Sequence, residues 1–157
     1  MENKILVVED SRPFRRVIEI ELRKAGFSPV FAESIADAEK VLDENTDFLC
    51  AILDYCLPDG QDGEIIDVCL SVDIKVIVLT ALMDERTREK VLAKTVIDYI
   101  PKDSPTCIAS IIPILKRLEN ISAGVVNGDS NIHDLIGRAD KCLYQAKTSG
   151  RNAIATE

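Results

Sequence analysis

Five residues of this 157-residue chain lie within two positions of the ends of short apolar runs, where an open parallel sheet does its chemistry. Glu9 and Asp10 come after KILVV (4–8), Asp54 ends the run LCAIL (49–53), Thr80 ends KVIVL (75–79), and Lys102 lies two residues past VIDYI (96–100). Ligands of such sheets bind in the crevice beyond the carboxyl ends of the strands. Three carboxylates, one hydroxyl and one ammonium would therefore converge there. Clustered carboxylates repel one another and call for a cation, and an all-oxygen set with room for water suits Mg2+. The ammonium and hydroxyl opposite suit an anion. A hard cation beside a phosphate-sized oxyanion is equipment for phosphoryl transfer, with Asp54, the middle carboxylate, as the natural nucleophile. Singly, each residue has a plainer reading: acids after strands serve as caps or loop residues, Thr80 as a cap, Lys102 as a solvated charge. Their convergence on four strand ends of one sheet is what favours chemistry.

The runs that carry these residues must then be strands. A fifth run, SPVF (28–31), is the weakest and belongs nearer an edge. Each run is followed by a helical stretch. Ser11 with Pro13 in the first turn, the capping box Ser34-x-x-Asp37, and Ser104 ahead of Pro105 mark three of the helix starts. Runs such as ILVV and VIVL are apolar on both faces, which belongs to parallel strands covered by helices on both sides. A doubly wound α/β domain is expected over residues 1–119.

Composition agrees with a soluble globular protein, 46% hydrophobic and 29% charged with no low-complexity tract. The net charge of −8 argues against a nucleic-acid partner. The whole acidic surplus lies in residues 1–119, with 23 acids and 15 bases, while 120–157 balance at four against four, so a boundary near residue 120 is expected. Cys50, Cys56, Cys69, Cys107 and Cys142 form no C-x-x-C pair and His133 is the sole histidine, which favours neither a disulfide framework nor a zinc site but a reduced, cytoplasmic setting. No apolar run reaches the ~18 residues of a membrane helix, and MENKILVVEDSR meets its acids too early for a signal peptide. No membrane association is expected.

The stretches ILVVEDS (5–11), LDYCLPDGQDG (53–63), VIVLTA (76–81) and DYIPK (98–102) resemble, in order and spacing, the receiver domain of bacterial two-component response regulators. The resemblance covers residues 4 to about 118. It implies a flavodoxin-like five-stranded sheet of order 2-1-3-4-5, and an Asp54 that accepts a phosphoryl group from a sensor histidine kinase. It further implies Mg2+ held by Glu9, Asp10, Asp54 and the backbone carbonyl of Cys56, with Thr80 and Lys102 on the phosphoryl oxygens. Tyr99 matches the aromatic position whose ring turns inward when the threonine is drawn to the phosphoryl group; a ring simply packed at a sheet edge is the alternative. The family usually has proline directly after the lysine, where this chain has Asp103, and non-proline cis peptides are rare.

Residues 121–157 read as one β-α-β unit: a run ISAGVV, a turn NGDS, a helix from about Asn131 to Thr148, and a run AIAT. ISAGVV and DLIGRADKCLYQAKTSGRN resemble the last strand and helix of a GGDEF domain, the diguanylate cyclase module. The GG[DE]EF signature and its metal-binding acids are missing from the chain, so a truncated remnant without cyclase activity is expected. The resemblance implies that Lys147 and Arg151 match residues touching GTP phosphates; a solvated basic edge is the plainer reading. The stripe Ile132, Leu135, Ile136, Ala139, Leu143, Ala146 has too little sheet to cover it, and a homodimer through the C-terminal tail is expected. Rival readings are a vestigial diguanylate cyclase regulator and an interaction or adaptor protein.

Overall fold

The computed structural model describes residues 3–81 and 84–125. Strands and helices alternate: β1 (Lys4–Val8), α1 (Arg12–Lys24), β2 (Ser28–Ala32), α2 (Ile35–Glu44), β3 (Cys50–Asp54), α3 (Glu64–Ser71), β4 (Val76–Thr80), α4 (Glu85–Leu92), β5 (Asp98–Pro101) and α5 (Cys107–Val125). All strands are parallel, in the order β2-β1-β3-β4-β5, so the weak SPVF run is indeed an edge strand.

Alternate residues of each strand feed two cores, one on each face. Leu6, Val8, Ala51, Leu53, Val76 and Val78 pack with Ala38 and Leu42 of α2, Ile65, Ile66 and Cys69 of α3 and Val91 of α4. Ile5, Val7, Cys50, Ile52, Ile77 and Leu79 pack with Ile18 and Leu22 of α1 and Cys107, Ile111, Leu115 and Leu118 of α5. Burying one Leu or Ile contributes roughly 1.5–3 kcal/mol, so a strand apolar on both faces is anchored in both layers. The thiols of Cys50 and Cys69, one in each layer, are pushed up to about 12 by burial.

Local chemistry sets the helix starts. Ser34 Oγ accepts from Asp37 N at 3.1 Å, and Asp84 Oδ1 accepts from Thr87 N at 2.8 Å. Ser11 does occupy the cap position of α1, but its side chain makes no cap bond; its N–H instead donates to Glu9 Oε1 at 3.1 Å. Ser104 is not the cap of α5, because the helix begins at Cys107 and Ser110 N donates to Thr106 O at 2.9 Å. All peptide bonds among the described residues are trans.

The chain divides into two compact units, Met1–Glu119 and Asn120–Glu157. The expected strand ISAGVV is instead helical over 121–125, as the end of α5. A strand needs a neighbour to pair its backbone groups, whereas a helix satisfies them within itself. The expected turn, second helix, AIAT run, apolar stripe, Lys147 and Arg151 lie outside the described residues.

Candidate functional site

The sheet register builds the site. Val8 pairs with Leu53, which sets Glu9 beside Asp54 one step further on; Asp54 pairs with Leu79, one residue before Thr80. Glu9 N donates to Ala32 O at 3.0 Å and fixes the exit of β1. Lys102 N donates to Thr80 O at 2.7 Å, which extends the β4–β5 ladder one bond past Pro101 and holds Lys102 at the strand ends. Glu9, Asp54 and Thr80 are buried, Asp10 is exposed.

Lys102 Nζ donates to Asp54 Oδ2 at 2.5 Å and stands 2.7 Å from Glu9 Oε2, with the Phe14 ring centroid 5.0 Å away. The other Asp54 oxygen, Oδ1, accepts from Cys56 N at 3.2 Å. One carboxylate oxygen each from Glu9, Asp10 and Asp54 lie within 4.8 Å of one another. Burial raises the pKa of Glu9, opposed by its contact with Lys102 and reinforced by the charge of Asp54. Lys102 would be lowered by burial, but two carboxylate partners outweigh that and raise it. The ammonium has two acids to answer, whereas Glu9 has one cation and a repelling neighbour.

Glu9 Oε2 is buried and, despite the nearby ammonium, receives no aligned hydrogen bond. A buried oxygen with no aligned hydrogen bond, two further carboxylates within reach and one acid open to water together fit a hard divalent cation such as Mg2+. On β5, Tyr99 is half-buried, and its phenol shares a hydrogen bond with the Thr80 side chain; burial raises its pKa and that bond partly offsets the rise.

Residues 5–112 match the response regulator receiver domain family. The chain belongs to that family. The phosphate regulon transcriptional regulatory protein PhoB of Klebsiella pneumoniae is 36% identical over 124 residues, 75% of this chain and 54% of that protein. PhoB of Pseudomonas aeruginosa is 33% identical over 120 residues. The chain spans about half the length of the curated relatives it matches. A solved structure titled as a putative two-component system response regulator/GGDEF domain protein is 31% identical, with a TM-score of 0.63, over 72% of this chain and 46% of that one. A receiver domain from Clostridium thermocellum, 20% identical with a TM-score of 0.68, shares the fold.

The receiver therefore brings Glu9, Asp10, Asp54 and Lys102 into one cluster, with Cys56 bonded to Asp54 through its N–H and the Thr80–Tyr99 pair on the adjoining strands. Three participants in the receiver's scaffold escaped the sequence reading. Phe14 lies over Lys102, Arg15 joins Glu9 O at 3.3 Å to Glu33 at 2.6 Å, and Asp59 reaches α2. Pro58-Asp59-Gly60 signals a turn, but its partner, 24 residues earlier, leaves no local trace.

Proposed function

We propose that Asp54 is the phosphoacceptor of this receiver, supplied by a sensor histidine kinase, and that output follows from a conformational change. The observation that carries the reading is a buried strand-end carboxylate flanked by two acids and bonded to a half-buried ammonium. An Asp54 oxygen attacks the phosphorus of a phosphohistidine; the new O–P bond forms as the P–N bond breaks, and the electron pair leaves on the imidazole, which takes up a proton. Bound by Glu9, Asp10, Asp54 and the Cys56 carbonyl, Mg2+ would neutralise charge on the phosphoryl oxygens. Lys102 transfers its contact from Asp54 Oδ2 to the phosphoryl group. The Thr80 hydroxyl follows the same oxygens, and Tyr99, bonded to Thr80, carries the movement to the surface beside β5. Acetyl phosphate and Mg2+ should add one phosphoryl group by intact mass. Labelling that survives Asp54→Asn, or proceeds equally in EDTA, would refute this reading.

Residues 120–157 are read as the end of a GGDEF domain that has lost its catalytic part, a reading favoured by two structural relatives titled as response regulator/GGDEF proteins, at 31% identity. On this reading the chain makes no cyclic di-GMP from GTP in either phosphorylation state, and chromatography of a GTP incubation is the check. No helix among the described residues is long and apolar enough to cross a membrane, and a cytoplasmic receiver facing a kinase domain is the setting proposed. Nucleic acid is not a partner in this reading, given the net charge of −8; transcriptional regulation is named for relatives of which this chain covers 54%.

A further inference from the structure

The loop from Tyr55 to Gly63 carries the backbone beside Asp54, and its course is set by contacts away from the acids. Leu57 and Gly60 exchange backbone hydrogen bonds at 2.8 and 3.1 Å, and Gln61 Nε2 donates to Leu57 O at 2.8 Å. This knot is fastened to another element. Asp59 Oδ1 accepts from Ile35 N at 2.8 Å and Oδ2 from Ala36 N at 3.0 Å. The first N–H groups of a helix have no partner within it. Ser34, the local cap, serves Asp37, so the two donors before it are served by a residue more than twenty positions away.

The same end of α2 is tied to the first acidic loop. Glu33 pairs with Arg15 at 2.6 Å, Arg15 Nη1 donates to Glu9 O at 3.3 Å, and Glu9 N donates to Ala32 O at 3.0 Å. The start of α2 is thus a post to which both acid-bearing loops are fastened, one through Arg15 and the other through Asp59. The geometry points to Asp59 as a positioning residue of the cation site: by gripping Ile35 and Ala36 it holds the Cys56 backbone at its distance from Glu9 and Asp10, without touching cation or phosphoryl group itself. Both bonds are charge-assisted, and the two N–H groups hold the Asp59 carboxyl below its ordinary range.

This inference deepens the receiver reading and rests on it. The test is calorimetric titration of the full chain with Mg2+ in the absence of any phosphodonor, alongside thermal unfolding and labelling with acetyl phosphate. Asp59→Ala should weaken Mg2+ binding roughly 10-fold, the scale seen when groups that orient metal ligands are removed, while labelling recovers at saturating Mg2+. Asp59→Asn keeps one acceptor oxygen and should recover most of the affinity. Ser34→Ala removes the other cap from the same helix end but leaves the tie; it should lower the Tm and leave Mg2+ affinity unchanged. Wild-type affinity in Asp59→Ala, an Asp59→Asn no better than Asp59→Ala, or a Ser34→Ala as weak as Asp59→Ala would each overturn the positioning role. Failure of the wild-type chain to bind Mg2+ or take label is a different result, because it brings down the receiver reading and the inference with it.

Discussion

Lys102 and Glu9 respond to burial in opposite senses, and this makes the site's electrostatics measurable. Glu9 is held above its ordinary pKa of 4.5 because burial disfavours its charge more than Lys102 favours it. Between 4.5 and that raised value the folded chain binds more protons than the unfolded one, so stability falls as pH rises through the window. Lys102, raised above 10.5, has the same sign of slope in a more alkaline window: its contribution is complete below 10.5 and is lost as pH climbs through its folded value. Glu9→Gln in EDTA should therefore be more stable than wild type at neutral pH, with the gap opening as pH rises from 4.5 and then levelling. Urea unfolding across that range is the measurement, and a gap that is constant or narrows contradicts the assignment. Glu9, Asp10, Asp54, Thr80 and Lys102 could all be found in the sequence because each closes an apolar run, and strand polarity in a parallel sheet brings such residues together. Phe14 and Asp59 could not, because their roles depend on which loops are neighbours in space.

At the scale of elements, Gly63 shows how a backbone requirement reaches the site. It caps α3 at φ +72°, and a Cβ there would come within 2.5 Å of the Tyr55 ring, which is 2% exposed and directly follows Asp54. Gly63→Ala should cost about 2–4 kcal/mol, from the left-handed backbone and the displaced ring together, read from urea unfolding; a cost below about 1 kcal/mol would mean that the loop simply gives way. The five strands were legible within a residue or two, because an apolar run with both faces buried has few other fates. ISAGVV was misread for a physical reason. Ile121 and Val125 carry strand propensity, but in the structure the segment continues the helix begun at Cys107, and hydrogen bonding within the segment needs no partner from elsewhere. Ser104 failed as a cap through the same limit of local signals, since Thr106 competes for the role two residues later.

For the molecule as a whole, the tail-mediated dimer expected from the apolar stripe at 132–146 is tested by light scattering. The full chain should be dimeric at tens of micromolar, a concentration range usual for weak association, and a version ending at Glu119 monomeric; two monomers would discard the tail as the dimer interface. The receiver also contains its own clock for unfolding. Cys50 and Cys69 sit on opposite faces of the sheet, each thiol pushed up to about 12 and closed to solvent, so neither forms the thiolate that alkylating reagents capture until its own layer opens. Pulsed alkylation in rising urea, read by peptide mass, therefore times the two layers independently. Equal labelling midpoints would mean that the sheet and both helical covers come apart in one event, while earlier capture at Cys69 would mean that the α2–α4 side lifts off a sheet still clasped by α1 and α5.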